Sequence, residues 1–406
     1  MSTPFDRREF IAAGTAALLS GALTESARGF AANDTLRVGC IGTGGRCRAL
    51  MKSLVQIPNV KITAVCDIWD ANLAEGKKLA DKDAFSTKHF EELLARKDVD
   101  AVLIGSPDHW HVPLAVAACA AGKDVYVEKP LTHDLSEGKE VIDAQNKHKR
   151  IVQVGTQQRS MTHIAKAYDL HKAGHIGKVH KVHCTWNRNA ARAQRFKDGI
   201  DAKTVDWKRF LGTAKDQVFD PYRFRQWRWF WDFGGGIFTD LMVHWIDVIH
   251  WFLGLDHPQS ALSIGDFYSA KDVWETPDTV QTLLRYPDQE VQVYFEGTFS
   301  NNRNGSMVEF MGSEGTLYID RGRYEVIPDR DKKLEPSSLI LGTDQRKGLD
   351  FYDKPDGELL HLANWVEAVR LRKKPSCPAE AGVSSAGAAH LANQSLRTGE
   401  VAVWKA

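Results

Sequence analysis

The chain has 406 residues, a length that favours two domains over one or four. Its composition, 43% hydrophobic and 26% charged, is ordinary for a globular protein with full-sized cores. The formal net charge of +1 is too small to attract nucleic acid or an anionic membrane electrostatically, so we expect neither as a partner. None of the six cysteines is spaced as CxxC, which argues against a zinc knuckle or a redox pair and favours buried, reduced thiols.

Residues 1–32 are typical of an export signal. Arg7 and Arg8 are paired, and a mildly apolar run rich in Ala and Gly follows at residues 11–23, too short and too weak to anchor in a membrane. The segment resembles a twin-arginine signal, so we expect export to the periplasm by the Tat machinery. The alternative is a frayed amphipathic helix with a chance arginine pair. An enzyme delivered there with a diffusible cofactor would have to hold that cofactor tightly, because the periplasm has no obvious soluble pool of it.

Apolar runs alternate with helical spacings in residues 33–157. The predicted strands are residues 36–42, 60–66, 101–104, 124–127 and 151–154. The predicted helices are residues 48–54, 90–97, 112–121 and 136–149. This alternation predicts an α/β domain with a doubly wound parallel sheet.

The pattern changes in residues 158–406. A helix at 162–173 and a strand at 179–186 are followed by segments that alternate as half-buried antiparallel strands do. Those segments are residues 279–286, 290–297 and 306–311, with a turn at 287–288 between the first two. Helices are predicted at 358–372 and 381–397. We therefore expect a second, α+β domain on an open, mainly antiparallel sheet, with its last helices packing back on the first domain.

A glycine-rich turn separates the first strand from the first helix. In the run Gly42–Cys47, Gly42 permits the tight turn, Gly44 lets the backbone approach a pyrophosphate, and Cys47 stands where a third glycine is usual. Asp67 ends the next strand, where an acid accepts hydrogen bonds from a ribose 2′-hydroxyl and repels a 2′-phosphate. These features predict bound NAD rather than NADP. The alternative is a structural turn beside a solvated aspartate.

Two further sets of residues follow strand ends, where ligands bind in α/β sheets. Glu128 and Lys129 end the strand that begins at residue 124, and a lysine there can stabilise an alkoxide as hydride departs. Without this context Lys129 would be an ordinary surface lysine. Pro107 and His111 follow the preceding strand, and His111 is equally well explained as a capping or core histidine.

A polar stripe runs along the predicted helix at residues 237–253. Asp240, His244, Asp247 and Trp251 recur at helical spacing while the opposite side is apolar, so the polar stripe should face a cavity or a partner. Asp240, one turn before His244, can hold the imidazole tautomer and raise its basicity. A solvated face is the alternative. No Cys or second His completes a recognisable metal site, so no metal is expected.

Tryptophans cluster just before this helix. Trp227, Trp229 and Trp231 alternate, which would place all three on one side of an extended segment. The interleaved arginines offer planar donors for hydroxyls or a carboxylate; they are Arg223, Arg225 and Arg228. Such a surface suits a sugar, which has an apolar ring face and polar edges. The alternative is that these aromatics form an interdomain or oligomer contact.

From residue 36 to the carboxyl terminus the chain resembles the Gfo/Idh/MocA family, named for glucose–fructose oxidoreductase, inositol dehydrogenase and a rhizopine catabolism protein. The matching pieces are the glycine turn at Gly42, Asp67, Pro107-x-x-x-His111, Glu128-Lys129-Pro130, the run from Gly234 through Asp240 and His244 to Asp247, and the turn at 312–317. Two departures are Cys47 and Leu241-Met242-Val243, where many members carry a glycine; the second bears on the shape of the substrate site.

The resemblance implies a Rossmann domain, a sheet domain whose open face mediates homo-oligomers, and a carbohydrate or polyol substrate. It implies that Lys129 contacts the reacting hydroxyl, that His244 is the general acid/base and that Asp240 supports it. The residues assigned to the cofactor are Gly42, Gly44, Gly45, Arg46, Asp67, Pro107, His111, Glu128 and Lys129. The residues assigned to the substrate are Arg159, Trp186, Trp229, Trp231 and Asp247.

Three functions compete on these residues. The first is a sugar, glycoside or polyol dehydrogenase that passes hydride to NAD. The second is a redox-neutral glycosidase that oxidises a ring carbon, eliminates the glycosidic substituent, adds water and re-reduces the carbon; export with a trapped cofactor favours it. The third is a non-catalytic NAD-binding protein, against which the intact Lys129 and His244 count.

Overall fold

The computed structural model describes residues 35–189, 199–341 and 356–405. The predicted export signal, residues 1–32, lies outside the described residues. In the part of the chain that the structure describes, no helix is both long and apolar enough to cross a membrane.

Six parallel strands form the first sheet. Five of them coincide with the apolar runs that were predicted as strands, and the third along the chain is the additional one. They are β1 (Leu36–Ile41), β2 (Val60–Cys66), β3 (Phe85–Thr87), β4 (Ala101–Ile104), β5 (Asp124–Val127) and β6 (Val152–Val154). Strands β4 and β5 are buried along their whole length, as a parallel sheet covered on both faces requires. The order β3-β2-β1-β4-β5-β6 reverses between β1 and β4, which is where ligands bind in open α/β sheets.

The helices cover both faces of this sheet and then continue into the second domain. They are α1 (Gly45–Leu54), α2 (Asp70–Leu79), α3 (Phe90–Leu94), α4 (His111–Ala120), α5 (Glu137–His148), α6 (Thr162–Lys172), α7 (Trp207–Leu211), α8 (Pro221–Arg225), α9 (Val243–Leu253), α10 (Asp356–Leu371) and α11 (Ala379–Thr398). Ala101 and Leu103 of β4 belong to one hydrophobic cluster, and Val102 and Ile104 belong to another. Alternate side chains of one strand therefore serve the two faces.

Nine strands form the second sheet, in the order β14-β13-β12-β11-β7-β10-β9-β8-β15. They are β7 (Val179–Asn187), β8 (Ser260–Asp266), β9 (Thr279–Tyr286), β10 (Val291–Thr298), β11 (Ser306–Gly312), β12 (Gly315–Asp320), β13 (Arg323–Pro328), β14 (Ser337–Ile340) and β15 (Ala402–Val403). All neighbours are antiparallel except β7 and β10, which are parallel. Side chains of β9 alternate between buried and exposed, so one face covers the core and the other is open. The predicted fold class, a Rossmann sheet followed by an open, mainly antiparallel sheet, is confirmed.

The last two helices return to the first sheet. Trp365 on α10 is fully buried in the same cluster as Val38 of β1 and Leu50 of α1. Helix α11 contacts both β6 of the first sheet and β8 of the second. The carboxyl-terminal helices therefore join the two halves rather than extending the second sheet alone. All six cysteines are free and buried, as the sequence predicted.

Candidate active site

A cleft lies at the carboxyl ends of the first sheet. One part, of about 400 Å³, lies beside the glycine turn, and we call it the glycine cavity. The other, of about 260 Å³, lies beside Lys129, and we call it the lysine cavity. The two cavities share wall residues, which are Arg46, Gly105, Ser106, Trp227 and Arg228, so they lie side by side.

The glycine turn leaves the room that a dinucleotide needs. Gly42 has φ +76°, and a Cβ there would lie 2.7 Å from the Ser106 nitrogen, so only glycine fits. A Cβ on Gly45 would meet nothing within 4 Å, and one on Gly44 would meet only the Asn72 side chain at 3.7 Å. No side chain caps the start of α1, so its first N–H groups can take a pyrophosphate. The residues therefore fit the dinucleotide that the sequence predicts.

Cys47 replaces the third glycine because the opposite wall makes room for it. Its side chain is fully buried, and a Cβ added to Gly105 would lie 2.7 Å from the Cys47 Cβ. The glycine that allows helix and strand to approach is thus Gly105, across the turn, rather than residue 47.

Asp67 ends β2 at the wall of the glycine cavity. Its carboxylate accepts a hydrogen bond from the Trp69 backbone N–H at 2.9 Å, and Thr43 Oγ1 lies at 3.5 Å. Burial raises the pKa of this carboxyl to about 7, although those hydrogen bonds and the Arg48 charge act to lower it. Asp67 is therefore an acceptor for a ribose hydroxyl at the predicted place. With a pKa of about 7, its carboxyl is close to half ionised at neutral pH.

Glu128, Arg46 and His111 support the floor between the cavities. Glu128 Oε1 accepts hydrogen bonds from Arg46 Nε at 3.1 Å and from Gln157 Nε2 at 3.2 Å, and Arg46 also pairs with Glu358. The His111 ring nitrogens lie 2.6 Å from the Pro130 carbonyl oxygen and 2.9 Å from that of Ser106, and burial lowers the histidine pKa to about 4. A neutral imidazole has one N–H, so His111 can donate to only one of these two carbonyl oxygens, although it lies between the loop after β5 and the loop after β4. Pro107 lines the glycine cavity.

Lys129 and Asp240 form an ion pair in the wall of the lysine cavity. Lys129 Nζ donates to Asp240 Oδ1 at 3.0 Å and to the Asp240 carbonyl oxygen at 2.6 Å. Arg228 Nε donates to the same Oδ1 at 3.0 Å. Burial alone would raise the Asp240 pKa, but the Lys129 and Arg228 charges outweigh it and hold that pKa below its ordinary value. Asp240 is therefore an anion that positions two cations.

His244 lines the same cavity and lies against Trp186. The two rings stack with centroids 5.1 Å apart and planes 28° apart. Burial lowers the His244 pKa well below its ordinary value, and the Lys129 and Arg321 charges act in the same direction. The imidazole is consequently neutral at physiological pH and able to accept a proton.

The predicted contact between Asp240 and His244 is wrong. The Asp240 carboxylate is engaged by Lys129 and Arg228, and no hydrogen bond joins it to His244. The segment Phe238–Met242 is a π-helical turn, and only Val243–Leu253 is α-helical. Because i→i+5 bonding widens the turn, residues four apart no longer stand directly above one another.

The far half of the polar stripe does not reach the cleft. Asp247 is fully buried and makes a two-fold ion pair with Arg159, at 2.7 Å from Nε to Oδ2 and 2.9 Å from Nη2 to Oδ1. Trp251 stacks on Tyr168 with centroids 4.5 Å apart. Neither Arg159 nor Asp247 lines either cavity, so the structure does not bring these two predicted substrate residues to the site.

The tryptophan cluster is not extended. Trp227–Trp229 is a 3₁₀ turn, which sends the side chains in different directions. Trp229 borders the lysine cavity, but its buried ring stacks on Trp274 at 4.3 Å. Trp231 lies in a different cavity, and its Nε1 donates to the Glu275 carbonyl oxygen at 3.0 Å. The expectation of three rings on one side is therefore wrong.

Several residues that line the lysine cavity were missed from the sequence. Arg188 and Arg321 follow the ends of β7 and β12, and Trp227 and Asp108 lie in 3₁₀ turns. No spacing in the sequence joins residues from such distant elements, although Arg188 stands two places after the predicted Trp186. In the described residues, no group of three His, Cys, Asp or Glu side chains could hold a metal ion.

Two family models match the chain and cover more than half of it. Residues 36–156 match the oxidoreductase family with an NAD-binding Rossmann fold. Residues 164–318 match the GFO/IDH/MocA carboxyl-terminal domain. The boundary between the two matches falls between β6 and α6.

Individual relatives agree with the models. The chain is similar to a myo-inositol 2-dehydrogenase of Thermotoga maritima, 23% identical over 369 residues that cover 89% of this chain and 96% of the relative. It is also similar to a glycosyl hydrolase family 109 protein of Saccharopolyspora erythraea, 34% identical over 176 residues, 37% of this chain and 38% of the relative. Among solved structures, a levoglucosan dehydrogenase in complex with NADH and levoglucosan superposes with a TM-score of 0.70 at 18% identity, covering 90% of this chain and 98% of the other.

The glycine turn at the switch point, Asp67 at the end of β2 and the two matched models agree on one assignment. The amino-terminal sheet is an NAD-binding Rossmann domain. The chain belongs to the Gfo/Idh/MocA family of oxidoreductases.

Proposed function

We propose that this protein oxidises a hydroxyl of a sugar, glycoside or polyol in the lysine cavity, with NAD bound in the glycine cavity. The observation that carries the proposal is that Lys129 and His244 both line one cavity, which adjoins the NAD site. Bound NAD supplies the hydride acceptor. The names of the similar myo-inositol and levoglucosan dehydrogenases support the substrate class.

Lys129 is suited to bind the reacting oxygen. Its ammonium has three N–H donors, and Asp240 takes two of them. The third can donate to a substrate hydroxyl and stabilise negative charge on that oxygen as the proton leaves. Because Asp240 fixes the ammonium in place, little reorganisation is needed during the reaction.

His244 is suited to take the hydroxyl proton. Its low pKa keeps the ring neutral, and Trp186 holds the plane of the ring. Because its protonated form is disfavoured, His244 holds the proton only weakly. It can therefore return the proton to the substrate oxygen when the reaction runs in reverse, from ketone to alcohol.

The test uses purified protein. Denaturation should release NAD(H) into the supernatant, and addition of a sugar or polyol should change the absorbance of the bound nicotinamide in a single turnover. Recovery of NADP, or a protein that binds NAD only weakly, would contradict the proposal.

A redox-neutral glycosidase is the second candidate. The observation that favours it is the 34% identity to a glycosyl hydrolase family 109 protein over 176 residues. The dehydrogenase is preferred because the dehydrogenase relative matches nearly the whole chain. An aryl glycoside separates them: steady release of the aryl group with no net change in bound NAD supports the glycosidase, whereas accumulation of NADH supports the dehydrogenase.

We also propose that the protein works in the periplasm after Tat export, on the basis of Arg7 and Arg8, and that it forms a homo-oligomer through the open face of the second sheet. Leu283 on β9 and Leu262 and Ile264 on β8 are exposed apolar side chains of that sheet, which a second copy would cover.

A further inference from the structure

We infer that Arg228 sets the substrate specificity of the lysine cavity by binding the oxygen next to the hydroxyl that reacts. The substrate is accordingly oxidised at one hydroxyl of a vicinal pair, in which the two oxygens stand on adjacent carbons. The inference deepens the proposed function and rests on it. It starts from the hydrogen-bond donors around this cavity that the protein itself leaves open.

Arg228 is anchored at one end of its guanidinium and open at the other. Its Nε donates to Asp240 Oδ1 at 3.0 Å, and its guanidinium carbon lies 4.1 Å from the Trp227 ring centroid. Among the described residues no hydrogen bond takes either Nη nitrogen, and an indole offers these donors no lone pair. Neither Nη is a buried unpaired atom, and 36% of the side chain is exposed. The Nη donors are therefore accessible to a ligand.

The two arginines that precede Arg228 in the tryptophan cluster are placed differently. Arg223 pairs with Glu275 at 2.6 Å and with Asp232 at 3.4 Å, and it lines neither cavity. Arg225 lines only the glycine cavity. Of the three, Arg228 is the one that borders the lysine cavity, so it is the one placed to contact the substrate.

Asp240 holds Arg228 next to the lysine that binds the reacting oxygen. Lys129 Nζ and Arg228 Nε each lie 3.0 Å from Asp240 Oδ1, so the two nitrogens are neighbours across one oxygen atom. Lys129 keeps one N–H for the reacting oxygen, and Arg228 keeps its four Nη protons. A vicinal pair of oxygens is compact enough to accept hydrogen bonds from both cations at once.

The open donors of Arg228 give the cavity a means of discrimination. In water such N–H groups are hydrated, and a ligand that displaces the water without supplying an acceptor leaves a charged donor unpaired. A site built to hydrogen-bond a substrate hydroxyl therefore rejects the analogue that lacks it. An isolated alcohol satisfies Lys129 alone, whereas a vicinal diol satisfies Arg228 as well.

The experiment identifies the hydroxyl that Arg228 contacts. The ligands are D-glucose and myo-inositol, each with the monodeoxy analogues that lack one ring hydroxyl. Titration calorimetry on the NADH-loaded protein measures affinity without oxidation, and product analysis on the NAD-loaded protein gives the reacting carbon. We expect removal of one hydroxyl adjacent to that carbon to weaken binding about tenfold or more, because a hydrogen bond to a charged donor is lost. Oxidation at the reacting carbon should persist.

Two variants connect this loss to Arg228. Arg228→Lys can still pair with Asp240 but lacks the guanidinium fork, so the parent and the sensitive deoxy analogue should bind almost equally. Arg228→Gln should also lose the discrimination. Arg330→Gln changes an exposed arginine outside the cavity and should keep it.

Three outcomes would overturn the inference. Removing either neighbour of the reacting hydroxyl could leave affinity unchanged. The Arg228 variants could weaken parent and analogue equally, which would mean that Arg228 only positions Lys129. They could lower affinity for NAD while the discrimination among sugars survives, which would assign Arg228 to the cofactor. Failure of both parents to bind would also overturn it.

Cofactor content keeps the inference and the proposed function apart. If the protein holds NAD and oxidises sugars with no dependence on the neighbouring hydroxyl, the oxidoreductase stands and the role of Arg228 falls. If the purified protein holds no NAD and binds it only weakly, the proposed function itself fails.

Discussion

Lys129 donates to two acceptors of a single residue, the carbonyl oxygen of Asp240 at 2.6 Å and its Oδ1 at 3.0 Å. That carbonyl belongs to the π-helical turn at Phe238–Met242. One ion pair thus ties the end of β5 in the first sheet to the segment that precedes α9 in the second domain.

Replacing Lys129 or His244 with alanine should slow turnover strongly but leave bound NAD in place. Each loss should lower kcat about 10²–10⁴-fold, because each removes one group that handles the proton or the charge on oxygen. The double variant should be little slower than the slower single variant, because the two groups act on the same oxygen. Rapid-mixing kinetics on holoprotein measures both effects.

Lys139→Ala is the matched control, since Lys139 is an exposed lysine paired with Asp143 away from the cleft. It should behave as the wild type. If His244→Ala kept near-normal turnover, another residue would have to be the base.

Asp67 should make NAD binding depend on pH. Its folded-state pKa of about 7 lies above the ordinary carboxyl value, so its ionisation opposes folding, and stability of the cofactor-free protein should fall as pH rises toward 7. NAD selects the ionised form, so affinity should rise over the same range, up to about tenfold per pH unit, and level off above 7. Calorimetry in two buffers of different ionisation enthalpy should detect proton release near pH 6. An Asp67→Asn protein that kept the same slope would contradict the assignment.

Asp67 should also exclude NADP. Asp67→Ser removes the charge that repels a 2′-phosphate, while Arg48, whose charge acts on Asp67, remains nearby. We expect weaker NAD binding and a smaller ratio of NAD to NADP affinity, measured by fluorescence titration of the reduced cofactors. An unchanged ratio would show that another residue sets the preference.

The three clustered tryptophans should respond differently to alanine substitution. Trp229→Ala removes a buried ring stacked on Trp274 and should destabilise the fold by about 3–5 kcal/mol. Trp227→Ala should raise KM with little change in Tm, because this half-buried ring borders both cavities. Trp231→Ala should leave KM unchanged. A raised KM for Trp231→Ala at normal Tm would place the substrate elsewhere.

Gly105 and Cys47 should be energetically coupled. Gly105→Ala places a methyl 2.7 Å from the Cys47 Cβ and should cost about 1–3 kcal/mol. Adding Cys47→Gly should recover part of that loss, although glycine in a helix costs about 1 kcal/mol by itself. Denaturant unfolding of the four proteins in the cycle gives the coupling energy. If the changes in unfolding free energy of the two single variants simply add in the double variant, the side chains at positions 105 and 47 do not interact.

Replacing both Arg7 and Arg8 with lysine should keep the precursor in the cytoplasm. The paired arginines are the feature on which export is predicted. Cell fractionation and immunoblotting of the full chain measure the effect. Normal export of the double variant would remove the basis for the periplasmic assignment.

The sequence predicted the buried strands well and the surface elements poorly. Strands β2, β4 and β5 have the predicted bounds, since their apolar runs are sandwiched between helices. Helix α2 was missed because only Gly76 is buried in it, so it carries no apolar stripe. Strand β3 has three residues, too few for a periodic signal.

Site residues that directly follow a strand of the first sheet were predicted from the sequence. Site residues that reach the cavity through long-range packing were missed. Lys129 and Asp67 follow strands directly, so their position at the edge of the sheet could be inferred. Arg321 reaches the cavity only because β12 lies two strands from β7 in the second sheet. The π-helical turn could not be inferred either, because its spacing differs from an α-helix by one residue over a single turn.

The hydrogen bond from Ser53 to Glu358 spans 305 positions of the chain. On the ribosome, the first sheet therefore emerges long before the helix that covers one of its faces, and Trp365 is made after most of the second sheet. Arg46 at the cofactor site likewise awaits its partner Glu358 until synthesis is almost finished. The wall of the cofactor site at Arg46 therefore reaches its final form only when the carboxyl-terminal helices have been made.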